Sequence, residues 1–188
     1  MRAYISTVTF VLFVVGFFGC VGCSGGPKAV IGDPLSLVGS WRSSCYAVGD
    51  DNHQVRMTFA AGGSTTLEEF FSSDNDCSQV DATARRTGTY STEAQGPNAW
   101  QLQSRFGKNI ELAVQTPDSL KYAIENDFLL HNDWKLGSFV DITAVVSDDG
   151  LIIATSPKYL QTTTARIENG RLYIGANIQS KAESFQKD

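Results

Sequence analysis

The stretch "TTTARIENGRLYIGANI", residues 162–178, decides the fold. Asn169-Gly170 separates two alternating apolar runs, and this dipeptide accepts the positive φ angles of a tight hairpin turn. It reads as two antiparallel strands. Working outward, the same grammar recurs along the chain. "VRMTFA" (55–60) sets Val55, Met57 and Phe59 on one face, the period-two pattern of a half-buried strand. "GGST" (62–65) turns the chain, "TLEEFF" (66–71) runs back, and "SSDNDCSQ" (72–79) turns again. "LVGSWRSSCYAV" (37–48) is a first strand anchored by Trp41, with "DDNHQ" (50–54) as a polar turn. In "TARRTGTYST" (83–92), Gly88 marks a bulge or sharp bend just before Tyr90.

Downstream, "IELAVQ" (110–115) aligns Ile110, Leu112 and Val114, and "SLKYAIE" (119–125) aligns Leu120, Tyr122 and Ile124, with Thr-Pro-Asp read as the turn between them. "FVDITAVV" (139–146) sets Val140, Ile142, Ala144 and Val146 inward, and "LIIATS" (151–156) comes after Asp149-Gly150. Such short strands and frequent turns predict an all-β chain: an antiparallel up-and-down barrel of about 8–10 strands. "ENDFLLHNDWKLGS" (125–138) is the exception, with no strand period. It is expected to form a short helix or irregular segment, either a plug in the barrel end or a lid over its mouth, through Phe128 and Trp134.

Of the 188 residues, 42% are apolar and 19% charged, enough for one globular domain with a real core. The formal charge is -5 and no Lys/Arg cluster exists, which argues against nucleic acid and against a polybasic membrane patch.

The first residues, MRAYISTVTFVLFVVGFFG, combine one Arg with an apolar run too short to span a bilayer, as a secretory signal does. The next residues, CVGCSGGP, complete a junction that resembles the lipobox of bacterial lipoproteins, in which a cysteine after small residues is lipidated and becomes the first mature residue. Cys23, after Val21-Gly22 and before Ser24-Gly25-Gly26-Pro27, is the expected anchor, with Cys20 the alternative. The implied organisation is a lipoprotein signal peptide (1–22), a lipidated flexible tether (23–36) and the barrel domain (37–188). The implied location is the bacterial cell envelope, with the outer membrane favoured. Cleavage before Cys23 leaves Cys45 and Cys77 as an even pair, expected to form a disulfide in an oxidising compartment. Free thiols, one of them catalytic, are the alternative.

Gly39, Trp41 and Cys45, then Asp74 and Cys77, then Gly88-Thr89-Tyr90, form a pattern that resembles small secreted or lipid-anchored proteins with a lipocalin-like barrel. More loosely, it is similar to the extracellular domain of the vertebrate adenomatosis-polyposis-coli-down-regulated family. The resemblance spans roughly residues 37–92 and implies a lipocalin-like barrel. Trp41 and Tyr90, together with Phe128 and Trp134 of the irregular segment 125–138, are the candidate ligand or lid residues.

Catalytic patterns are sparse. His53 is expected in an exposed turn, and His131 lies beside Asn132 and Asp133. No nucleophile elbow and no Walker or dinucleotide glycine pattern accompanies them, so no catalytic, cofactor or metal residue is assigned. Glu68 and Glu69 should point to opposite strand faces, as should Arg85 and Arg86; the arginines are read as a plain outward pair, with one aimed into the barrel to meet an anion as the alternative. The expected function is non-enzymatic: a membrane-tethered barrel binding a small apolar ligand or an envelope protein. The alternatives are an assembly protein with a filled barrel and, third, an envelope hydrolase using His131.

Overall fold

The computed structural model describes residues 36–130, 133–144, 162–175 and 184–188. The leader, Cys20, Cys23, most of the tether, His131, Val146 and the "LIIATS" run lie outside the described residues.

The alternating run at Val55 lies in β3 (Asp51–Phe59), where every second residue from His53 to Phe59 is buried. Its neighbours are β1 (Gly39–Ser43) on one side and β4 (Ser64–Ser72) on the other. From β4 the meander continues through β5 (Val80–Gly96) and β6 (Ala99–Phe106), then β9 (Thr162–Glu168), β10 (Arg171–Ile174) and β11 (Ser184–Lys187). β11 pairs antiparallel with β1, so eight strands close an up-and-down barrel. Taken round the ring, the register returns about twelve residues out of step, a large stagger that tilts the strands and widens the bore.

Three of the described strands lie off the ring. β2 (Tyr46–Val48) pairs with the start of β3. β7 (Glu111–Val114) takes the edge of β5 at Ala82–Arg85, and β8 (Val140–Asp141) adds to β7. β5 thus serves β7 with its first half and β6 with its second. The change of partner falls at Gly88, where a Cβ would lie 2.4 Å from the Arg105 carbonyl oxygen. Only glycine lets the two backbones approach this closely.

The hairpin at Asn169-Gly170 forms as expected: both residues have positive φ and Glu168 pairs with Arg171. Other expectations need correction. "DDNHQ" is not a turn, because Asp51–Gln54 already belong to β3 and the chain turns at Gly49-Asp50. The run 37–48 is broken at Ser44-Cys45 into β1 and β2. "SLKYAIE" is a helix, α1 (Pro117–Glu125), and leaves Tyr122 60% and Ile124 50% exposed. Thr116 is its N-cap, accepting from the Ser119 amide while the Ser119 hydroxyl accepts from the Thr116 amide, with Pro117 in the first turn. That reciprocal cap starts a helix where Thr-Pro-Asp had suggested only a turn. In 139–144, Ile142 is buried but Ala144 is exposed.

The two ends of the barrel differ. At one, the connections are tight turns (Ala61–Gly63, Pro97-Asn98, Asn169-Gly170), and the chain enters β1 from Leu37. At the other lie the β2 excursion, the 73–79 loop and α1.

Candidate functional site

Interior-facing side chains meet in one cluster. Trp41, Met57, Phe59, Leu67, Trp100, Leu102, Leu172 and Phe185 are each 2% exposed or less. Side chains lining a void large enough for water would expose surface into it, so around these eight the bore is packed solid. Trp41, a candidate ligand residue, is part of this filling: its indole Nε1 donates to the Leu37 carbonyl at 2.7 Å. Tyr90 is half-buried, with its ring edge-on to Phe59 at 5.0 Å and its hydroxyl donating to the Ala60 carbonyl at 2.9 Å. Burial raises the pKa of its phenol. These contacts clamp the β3–β4 turn.

Phe128 and Trp134 do come together. Their rings lie 6.1 Å apart, and Trp134 Nε1 donates to the Phe128 carbonyl at 3.2 Å. Trp134 is buried in the main cluster beside the half-buried Phe128, while Ala123 is the buried residue of α1. Trp41 and Tyr90 are tied to the tight-turn end; Phe128 and Trp134 belong to the α1 segment.

Toward the loop end the interior becomes polar. His53, expected in an exposed turn, is 3% exposed, and its Nδ1 lies 2.7 Å from Oε1 of Glu69, which is fully buried. The imidazole packs edge-on against Phe71 at 4.7 Å, and the Tyr46 ring lies 6.2 Å away. Tyr46, His53 and Phe71 are direct cross-strand neighbours in β2, β3 and β4. Next to them, the Ser43 hydroxyl accepts from the Val55 amide. This dyad was the functional pattern that escaped the sequence: Glu69 occupies a core position in the alternation of β4, a signal that it needed a buried partner. Glu68 points the other way, to Arg56, as the alternation required. The arginines diverge too. Arg85 pairs with Glu111 outside, and Arg86 Nε donates to the Gly107 carbonyl at 2.6 Å.

Cys45 and Cys77 form a disulfide, with Cα atoms 5.7 Å apart, that ties the β1–β2 corner to the 73–79 loop. Such a bond belongs to an oxidising, extracytoplasmic setting. Within the loop, Asp74 accepts from the Ser78 hydroxyl at 2.6 Å, the Gln79 amide at 2.9 Å and the Ser72 hydroxyl at 2.9 Å. The Ser78 bond above all holds its carboxyl down at about 2. Asp81 continues this network, accepting from the Ser73 amide and from Thr116 at the cap of α1.

The class these features define is a disulfide-bearing, eight-stranded up-and-down β-barrel with a cluster of buried apolar side chains inside it and a small helical appendage. No protein-family model matches the chain, and no curated protein matches it either.

Proposed function

We propose that the protein is an exported, lipid-tethered interaction module of the bacterial cell envelope, whose barrel is a rigid pedestal and not a carrier. One observation carries the reading: the packed bore. Barrels of eight strands either fill themselves or hold one small ligand, and the near-zero exposure of the eight core side chains named above favours the first. The disulfide and the lipobox-like "FFGCVGC" support export and anchoring, with Cys23 as the lipidated residue, Cys20 the alternative, and the outer membrane as the favoured site. Partners are then envelope proteins met in the plane of that membrane.

Native mass spectrometry of detergent-free protein tests the pedestal reading. The expected result is clean apoprotein from independent preparations; a stoichiometric apolar adduct would establish a carrier instead. For the anchor, the mature N-terminus should carry a lipid mass that vanishes in Cys23→Ser and persists in Cys20→Ser. The reverse outcome would move the anchor to Cys20.

A further inference from the structure

One row of the barrel's outer wall is complementary to itself. Across adjacent strands, Arg42 of β1 stands opposite Arg56 of β3, and Arg56 opposite Glu68 of β4. Glu68 stands opposite Arg85 of β5, Arg85 opposite Glu111 of β7, and Glu111 opposite Asp141 of β8. The signs run plus, plus, minus, plus, minus, minus. Reversed, that order is its own opposite at every position. A second copy laid against this wall in reverse order therefore sets an unlike charge against each of the six.

The ends of the row give an independent reason. Like charges directly opposite on neighbouring strands are unfavourable. Yet Arg42 faces Arg56 at one end and Glu111 faces Asp141 at the other. Inside the chain other contacts ease these conflicts. Arg42 reaches Asp188 and Gln54, both guanidiniums lie over the Phe70 ring, and Asp141 accepts from the Thr143 amide and hydroxyl. A reversed copy brings the cationic end of one row to the anionic end of the other.

We propose that this wall is an isologous homodimer interface, with Glu68 facing the partner's Arg85 and Arg56 facing the partner's Glu111, each contact made twice. The four central positions make the proposed contacts, beside the Phe139 ring that lies 3.7 Å from the Arg85 guanidinium. On the tight-turn side of the row stand Ser40, Thr58, Thr66 and Thr87, small side chains that hold no second wall away. Reversing the row while facing the walls requires a two-fold axis along the strands, between β4 and β5. Strand direction is then preserved, and the tight-turn ends of both copies, where the tethers join, lie on the same side. Two chains anchored in one membrane need that arrangement, a point that rests on the lipid-tether reading above; the charge argument does not.

The test uses the unanchored chain from Ser24 onward, since the ring is built from Gly39 on. Sedimentation equilibrium should show a dimer with a dissociation constant on the order of 100 μM in dilute buffer, weakening about tenfold in 0.5 M salt. The exchange Arg85→Glu/Glu111→Arg keeps a salt bridge between positions 85 and 111 and the native one between Arg56 and Glu68. It nevertheless sets like charges together at all four central contacts. Arg56→Glu/Glu68→Arg does the same. Each variant alone should dimerise at least about tenfold more weakly. Mixed in equal amounts they are complementary at all six positions, and the heterodimer should regain wild-type affinity. Circular dichroism confirms folding, and the milder Glu68→Gln/Arg85→Gln pair serves if an exchange does not fold. A wild type that stays monomeric at about 1 mM in dilute buffer overturns the proposal, as do folded variants that dimerise normally or fail to pair with each other. Because this chain carries no lipid, a failed anchor assay leaves these outcomes unchanged.

Discussion

Replacing His53 by leucine tests whether the dyad in the barrel interior is as tightly coupled as its geometry implies. Glu69 is fully buried and its Oε1 lies 2.7 Å from His53 Nδ1. Taking away His53 deprives the buried Glu69 side chain of this bond, and an unmet buried polar group costs about 1–3 kcal/mol, more where charge is involved. The edge-on contact with Phe71 adds about 0.5–1.5 kcal/mol, part of which leucine restores by filling the space. A loss of about 4 kcal/mol should lower the urea midpoint by roughly 2 M, for a slope of about 2 kcal/mol per molar. The informative comparison is His53→Leu/Glu69→Leu. Replacing both members with apolar side chains removes the mismatched polar group as well and should recover most of the loss. Urea unfolding monitored by tryptophan fluorescence, with the disulfide intact, on the wild type, both single leucine variants and the double variant closes the cycle and gives the coupling energy. The reasoning is refuted if His53→Leu costs less than about 1 kcal/mol, or if the double variant is no more stable than the single one.

The same geometry sets three further outcomes. Cys45→Ser/Cys77→Ser opens a loop with a sequence separation of 32 and should cost about 3–4 kcal/mol in the same urea assay. Asp74, lowered from 3.8 to about 2 chiefly by the Ser78 hydroxyl, contributes stability that is complete above its unfolded value and lost as pH falls through the folded one. Asp74→Asn should therefore flatten the decline in melting temperature between pH 4 and 2, and an unchanged slope would count against the loop network. Gly88→Ala drives a methyl into the Arg105 carbonyl, so calorimetry should show a loss of about 1–3 kcal/mol, whereas the same change at Gly62, with nothing within 4 Å, should be nearly silent.

The barrel was legible where local chemistry and global fold agree. Asn169-Gly170 accepts the turn its strands need, and Val55-Met57-Phe59 reports a face that is buried in β3. In residues 99–106, Trp100, Leu102 and Ser104 alternate as cleanly, but with Ser104 polar only two apolar residues mark the inward face. β11 is only four residues long and buries just Phe185 deeply, too little pattern to register. In 119–125 the strand reading failed because Leu120, Tyr122 and Ile124 stand two apart, whereas the segment buries Ala123, three after Leu120, in a helix that the cap at Thr116 starts. His53 illustrates a different limit. Its neighbours Asp51, Asn52 and Gln54 are polar, yet they share the outward face or the strand end, and burial of the imidazole depends on Glu69 sixteen positions away. The charged row on the outer wall is more remote still. Its members come from six strands, and only the registers bring them into line.

Closure of the ring by β11 has a consequence for how the chain matures. β1 finds its second neighbour only when residues 184–187 arrive, and the Arg42–Asp188 pair spans 146 positions. Contacts this distant in sequence make closure slow and late. A chain crossing a membrane from its N-terminus delivers β1, β3 and β4 well before the strand that shields the edge of β1. Until then that edge is open to any passing strand. The Cys45–Cys77 bond, whose partners emerge early, can form on the meander alone and hold its first corner while the last strand is still in transit.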